Sequence, residues 1–477
     1  EDDHNNTKNE SDYTLSVAQR RSGSPSNFKD EKKITMNYEL PKGSRLLNKE
    51  FTYGVATSSF QIEGGVEHRL PCIWDTFCAT PGKVKDGSNG DLACDHYHLW
   101  REDIALISSL GVDAYRLSIA WGRVMNQDGS LNQQGVDFYI GILDELKAKN
   151  IKSFVTLYHW DLPQHIEDQG GWLNRNTAYL FQEYADKLSK AFGDRVYSYA
   201  TLNEPFCSSY LGYEAGIHAP GLTKKAYGRQ SAHHLLLAHG LAMQVLQKNS
   251  PNSMNGIVLN FTPAYPLTDS AEDKRAAQLA DDYFNQWYIK PVFDGAYPDS
   301  FALLADEDKP KIEEGDFDII KAPLDFLGVN FYTRTVYKAT EGRDFIEVDM
   351  VDAPKTDIGW EIYPQAFTDL LVSLHQKYKL PPVYITENGA AAADQLHNGV
   401  VDDQLRLSYY QSHLNAVHQA VEQGVDIQGY FAWSLMDNFE WAEGYLKRFG
   451  IVYVDYNSQQ RTVKNSGLAY KNLISNR

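Results

Sequence analysis

The sequence predicts an α/β fold, a single (β/α)8 TIM barrel with extended βα loops. Three observations predict it. Eight short β-rich runs follow residue 51, longer amphipathic segments separate them, and polar residues gather at the C-terminal ends of the runs. Strands alternating with crossover helices give a parallel sheet, and eight such units close a barrel. The chain has 477 residues against the ~250 that a bare barrel takes, so the surplus is expected in loops. No linker or internal repeat marks a second domain, and residues 37–477 read as one domain.

The runs, in order, are FTYGVAT (51–57), DAYRLSI (113–119), SFVTLYH (153–159), YSYATLN (197–203), GIVLNF (256–261), LDFLGVNFY (324–332), PVYITEN (382–388) and QGYFAWS (428–434). Each is rich in β-branched and aromatic residues, which suit a pleated, buried strand. Between them, stretches such as REDIALISSLG (101–111), AYLFQEYADKLSKAFG (178–193) and SYYQSHLNAVHQAVEQG (408–424) repeat their apolar positions every three or four residues. That period is helical.

Residues 1–36 are polar and lack the apolar core of a secretory signal, so they read as a disordered or non-native extension, or a processed leader. Sequons stand at Asn5, Asn9 and Asn260. The four cysteines, Cys72, Cys78, Cys94 and Cys207, match no zinc spacing and read as buried free thiols. The chain carries 45 basic against 63 acidic residues, a net charge of −18, which argues against nucleic acid and anionic membranes as partners. No apolar run is long enough for a transmembrane helix. The 30 tyrosines and 9 tryptophans suit both a packed core and a surface that stacks on ring-shaped ligands.

The polar residues share one rim. His159 ends the third run, Asn203 and Glu204 the fourth, Asn330 and Tyr332 the sixth, Glu387 and Asn388 the seventh, Trp433 and Ser434 the eighth. The C-terminal rim is where barrel enzymes build their sites, and a stabilising role would not select one end so consistently. Glu204 and Glu387 would then face each other across one mouth. Two carboxylates flanking a bond are the equipment for glycoside hydrolysis. Asn203 supplies an amide for a sugar hydroxyl, and Pro205 biases Glu204 toward an extended backbone. Burying a carboxylate is costly, and a site that uses the resulting upward pKa shift gives a reason to keep it.

The stretches ATSSFQIEGG (56–65), IWDTFC (73–78), DAYRLSIAWGRV (113–124), LYHWDLPQ (157–164), TLNEPFC (201–207), VNFYT (329–333), YITENGA (384–390) and FAWSLMDNFEWAEGYLKRFGIVYVD (431–455) resemble, in combination and order, the glycoside hydrolase family 1 β-glucosidases. The resemblance implies that Glu204 is the general acid/base and Glu387 the nucleophile of a retaining double displacement. It implies that Arg116 lies beside Glu387, with Asn330 and Tyr332 supporting the carboxylates. Gln61, His159, Asn203, Trp433, Glu440 and Trp441 would bind the glycone. Trp360 would form the aglycone platform, with Phe449 also among the substrate-binding residues. The Trp433–Ser434 bond is expected to be cis. Tyr53, Leu117, Gly122 and Phe206 depart from the family's usual residues, none at a catalytic position.

The resemblance further implies a small-molecule β-glucoside or oligosaccharide as partner, no metal and no cofactor, and leaves the oligomeric state open. Glu440 and Trp441 stand where phospho-β-glucosidases carry a phosphate pocket, which favours unphosphorylated β-glucosides, with β-galactosidase, β-fucosidase and transglycosylation as side activities. Three other readings stand beside this one: a carbohydrate-binding barrel with impaired catalysis, a 6-phospho-β-glucosidase, and a metal-dependent hydrolase recruiting His96, His98, His159 and Asp161. The loops resemble those of bacterial intracellular members, implying a cytoplasmic location, while the tail and sequons leave secretion open.

Overall fold

The computed structural model describes residues 37–477. Eight parallel strands close a barrel: β1 (Thr52–Ala56), β2 (Ala114–Ser118), β3 (Lys152–Tyr158), β4 (Ser198–Asn203), β5 (Met254–Phe261), β6 (Phe326–Phe331), β7 (Val383–Asn388) and β8 (Ile427–Trp433). Neighbours in sequence are neighbours in the barrel, and β8 pairs with β1 through Thr52 to Gly429 and onward to Ala56 with Trp433. The eight runs read from sequence are these eight strands.

Crossover helices clothe the barrel: α1 (His96–Ser109), α2 (Gln133–Ala148), α3 (Asn176–Phe192), α4 (Lys225–Asn249), α5 (Ala271–Asp281), α6 (Pro364–Lys377), α7 (Gln404–Glu422) and, after β8, α8 (Asn465–Ser475). α3 shows why these segments are helical. Ala178, Phe181, Tyr184, Ala185, Leu188 and Phe192 are buried, a single stripe at spacings of three and four that packs inward. The extra length lies in loops, including the antiparallel pair Thr335–Thr340 and Arg343–Val348 beyond β6 and the pair Val452–Val454 and Arg461–Val463 beyond β8.

The barrel interior is filled by mixed sizes. Ala56, Ala114 and Ala200 leave room for Phe154, Phe326, Tyr384 and Phe431, with Phe154 and Phe431 ring centres 4.8 Å apart. Gly54 is required by this packing, since a Cβ there would stand 2.4 Å from the Phe431 ring. A plugged floor confines solvent and ligand to the rim at the strands' C-terminal ends.

The four cysteines are free, with Cys72, Cys94 and Cys207 buried and Cys78 half-buried. Asn260 lies inside β5, half-buried, on the inward face shared with Val258. Asn5, Asn9 and the expectation for residues 1–36 fall outside the described residues. No helix among the described residues is long and apolar enough to cross a membrane.

Candidate active site

The two carboxylates sit where regular pairing breaks. The β4–β5 register shifts between Ala200 and Asn203, just before Glu204, and the β6–β7 register shifts between Ile385 and Glu387. Irregularities at strand ends re-aim side chains, here into the mouth of the barrel. Pro205 does not hold Glu204 extended. Glu204 adopts φ +50, because the chain turns at once from β4 into a wide helical segment, Cys207–Glu214. Its N–H donates to Val258 O at 3.0 Å and its carbonyl accepts from Cys207 N at 2.9 Å, so tertiary contacts override the preference of a residue before proline. Trp160 (φ +77) and Trp441 (φ +47) are also left-handed, and such backbone costs of order 1–3 kcal/mol each, held by the surrounding structure.

Arg116, buried on β2, sets the order of the site. Its Nη1 donates to Glu387 Oε2 at 2.8 Å and its Nη2 to Asn203 Oδ1 at 2.6 Å. A guanidinium only donates, so the Asn203 amide can point in one sense. Asn203 Nδ2 therefore donates to His159 Nε2, 3.1 Å away. Burial, and then the charge of Arg116, hold His159 well below its ordinary pKa and keep it neutral. With Nε2 accepting, the ring proton is on Nδ1, which is buried and has no partner among the described residues. His159 thus offers one donor to a ligand.

The same logic continues to Glu204. Asn330 Nδ2 donates to Asn203 Oδ1 at 3.1 Å and to Glu204 Oε2 at 2.6 Å, while Cys207 Sγ donates to Glu204 Oε1 at 3.1 Å. Tyr332 donates its hydroxyl to Glu387 Oε1 at 2.6 Å. Glu387 therefore has a full positive charge and a phenol as partners, and Glu204 has neutral donors. Burial, and then the charge of Glu387, lift the Glu204 carboxyl to about 8.

Aromatic rings and one more acid complete the rim. Trp441 lies nearly parallel to His159 (5.9 Å, 17°) and to Phe60 (5.8 Å, 11°), and Trp433 lies nearly parallel to His159 (6.2 Å, 21°). The Trp433–Ser434 bond is cis, as the resemblance implies. Gln61 donates from Nε2 to Asn438 Oδ1 and Phe439 O and accepts from Ser58 at 2.5 Å, which leaves its oxygen one lone pair for a ligand. Glu440 is half-buried, its Oε2 is shielded from solvent without a hydrogen-bond partner among the described residues, and burial followed by the charges of Glu387, Glu443 and Glu204 pushes its carboxyl well up. Trp360, Tyr332 and Phe449 form one cluster, with ring centres 5.3, 5.8 and 6.0 Å apart. His96 and Asp161 are taken elsewhere, by Asp103 and Ser59, and His98 by Asp95.

The glycosyl hydrolase family 1 model matches residues 44–477. The chain belongs to that family. It is a retaining glycoside hydrolase of the family's β-glucosidase kind. A β-glucosidase from Agrobacterium is 46% identical over 434 residues, covering 89% of this chain and 95% of its own. A bifunctional β-D-glucosidase/β-D-fucosidase from Bifidobacterium breve is 41% identical over 468 residues, covering 92% and 99%. The family 1 β-glucosidase from Thermotoga maritima in complex with isofagomine lactam superposes with a TM-score of 0.87 at 43% identity, covering 90% of this chain and 98% of that one.

Three residues of this family 1 site escape sequence reasoning. Thr386 donates to Asn330 Oδ1 at 2.6 Å, Trp160 Nε1 donates to Asn203 O at 2.8 Å and lies 4.6 Å from the Trp441 ring, and Cys207 touches Glu204. Each lies within three residues of a position that the sequence does single out, and that proximity is the signal available.

Proposed function

We propose that the chain hydrolyses terminal, unphosphorylated β-D-glucosyl residues of cellobiose, short cello-oligosaccharides and aryl β-glucosides, with Glu204 as general acid/base and Glu387 as nucleophile. The observation that carries this is the unequal company of the two acids. Glu387 is ion-paired with Arg116, which suits an attacking anion; Glu204 faces neutral donors in a buried setting, which suits a group that holds a proton. Glu387 attacks the anomeric carbon as Glu204 gives its proton to the departing oxygen. Glu204, now an anion, then takes a proton from the water that cleaves the glucosyl ester, and β-glucose leaves.

In this reading the glycone meets the Nδ1–H of His159, the remaining lone pair of Gln61, the Asn203 amide and Glu440, against the faces of Trp433 and Trp441. Trp360 and Phe449 receive the aglycone. A site of aromatic walls with a few placed polar groups is the usual form of a small-molecule pocket. The Bifidobacterium relative named for both glucosidase and fucosidase supports side activity on β-fucosides, and an acceptor alcohol in place of water gives transglycosylation. Residues 37–477 make up the catalytic unit in this proposal, and removing 1–36 leaves kcat/KM unchanged.

Chemical rescue tests the two roles. Glu204→Ala should still be glucosylated by substrates with very good leaving groups, and azide should then intercept the intermediate to give the β-azide. Glu387→Gly should give the α-azide, since azide replaces the nucleophile. The opposite pairing of products means that the roles are reversed, and α-glucose as the first product of the wild type rejects the double displacement.

A further inference from the structure

Glu204 presents its two oxygens to unlike neighbours. Oε2 faces Asn330 Nδ2 at 2.6 Å, and Oε1 faces Cys207 Sγ at 3.1 Å. The amide has no freedom, because its own oxygen is held by Thr386 and its nitrogen serves Asn203 and Glu204 together. A proton on Oε2 would set donor against donor. Sulfur imposes no such bar, since a thiol donates weakly, accepts weakly and can rotate its S–H. Cys207 is also fixed in place: it opens the wide helical turn three residues after Glu204, and its N–H holds the Glu204 carbonyl at 2.9 Å.

We propose that Cys207 is a positioning residue whose thiol marks Oε1 of Glu204 as the oxygen carrying the transferable proton, weakly enough for that proton to come and go in each turnover. The proposal rests on the acid/base reading of Glu204. In the first step the O–H bond on Oε1 breaks, its proton forms the new O–H bond of the leaving alcohol, and the S–H swings to donate to the carboxylate. In the second step the attacking water returns a proton to Oε1 and the S–H turns away. Sulfur changes neither charge nor oxidation state. Burial, followed by the charge of Glu204, pushes the Cys207 thiol well above its ordinary range, so it stays protonated throughout. The other titratable or charged groups facing Glu204 are Glu387, Arg116, Tyr332 and Glu440, with neutral His159 beyond Asn203. None of these approaches Oε1 at hydrogen-bond distance in the manner of Cys207.

A hydroxyl in place of the thiol would donate more strongly and favour the carboxylate; a methyl would not donate at all. The experiment is the pH dependence of kcat/KM on an aryl glucoside with a poor leaving group, for wild type, Cys207→Ser and Cys207→Ala. The serine variant should move the alkaline limb down by about half a pH unit or more, and the alanine variant should move it up. Infrared difference spectra between pH 6 and pH 9 read the protonated carboxyl band without turnover, and that band should shift in both variants. Limbs and bands that stay in place overturn the proposal. Glu204→Gln separates the two layers. If it cleaves the poor substrate as fast as wild type, the acid/base reading fails and takes this proposal with it. If it loses that activity while the Cys207 variants shift nothing, the role of Cys207 alone is wrong.

Discussion

The hydroxyl of Thr386 donates to Oδ1 of Asn330 at 2.6 Å across the β6–β7 pair, and this bond fastens the residue before Glu387 to the residue that holds Glu204. Its sense is imposed from the far side of the site. Arg116 forces the Asn203 oxygen to accept, Asn203 then requires the Asn330 amino group, and Asn330 is left with an oxygen that only a donor can satisfy. One guanidinium thus orients two amides, a hydroxyl and a histidine tautomer.

Thr386→Val removes the last donor in that series and leaves a buried carbonyl oxygen unpaired. The expected cost is about 1–3 kcal/mol of stability, together with a fall in kcat larger than any change in KM, because the Asn330 amide loses its fixed sense. Thermal unfolding and steady-state kinetics check both. Thr386→Ser should restore most of each, and a valine variant as active as wild type would show that the amide needs no such hold.

Protonation of Glu204 gives a second outcome. Its folded pKa, about 8, lies above the ordinary glutamate value, so the fold favours the protonated form. The linked stability is fully present below the ordinary value near 4.5 and is lost as pH rises through about 8. Glu204→Gln, neutral at every pH, should therefore melt above wild type by a margin that widens from pH 5 to pH 9. Wild-type activity that depends on the acid form should fall over the same alkaline range. A margin that narrows with pH would contradict the burial argument.

What was legible in the sequence follows from which constraints are local. Strand β6, Phe326–Phe331, lies inside the run 324–332 because an apolar run with a polar end needs no partner to be read. The rim residues from His159 to Trp433 were legible for the same reason. The left-handed turn at Glu204 was not, since the local rule for a residue before proline points the other way and the contact to Val258, some fifty residues on, helps to reverse it. The sequence reads Cys207 as a buried free thiol, and it is buried and free; its contact with Glu204 depends on a helical turn that the sequence around TLNEPFC does not announce. The stacking of Trp441 on His159 joins segments that only barrel closure brings together.

Tyr332 carries a prediction of its own. Its hydroxyl donates to Glu387 Oε1 at 2.6 Å, and a hydrogen bond to a charged group is worth about 1.5–3 kcal/mol. Tyr332→Phe keeps the packing against Trp360 and Phe449 and removes that bond alone. If the bond serves the transition state, kcat/KM should fall by about one to two orders of magnitude. An aryl glucoside assay checks this, and a change below twofold would place the hydroxyl outside the reaction.

The preference for unphosphorylated sugars turns on Glu440. Its Oε2 is buried without a hydrogen-bond partner among the described residues, and its charge is disfavoured first by burial and then by Glu387, Glu443 and Glu204. A sugar 6-phosphate would bring about −1.5 to −2 further charge into this group of acids. Arg116 already gives both terminal nitrogens to Glu387 and Asn203, and Lys447 donates to the Asp357 carbonyl at 3.0 Å. One pair of like unit charges 4 Å apart costs about 4 kcal/mol at an effective dielectric of about 20, or nearly three powers of ten in kcat/KM. The ratio of kcat/KM for p-nitrophenyl β-glucoside to that for its 6-phosphate should therefore be of order a thousand. Glu440→Gln keeps the shape and removes a carboxyl whose ionisation would add to the repulsion, so the same ratio should narrow in that variant, most at high pH where the wild-type carboxyl is ionised. Faster cleavage of the phosphorylated sugar by the wild type would overturn the substrate assignment, and a ratio that Glu440→Gln leaves unchanged would remove Glu440 from its cause.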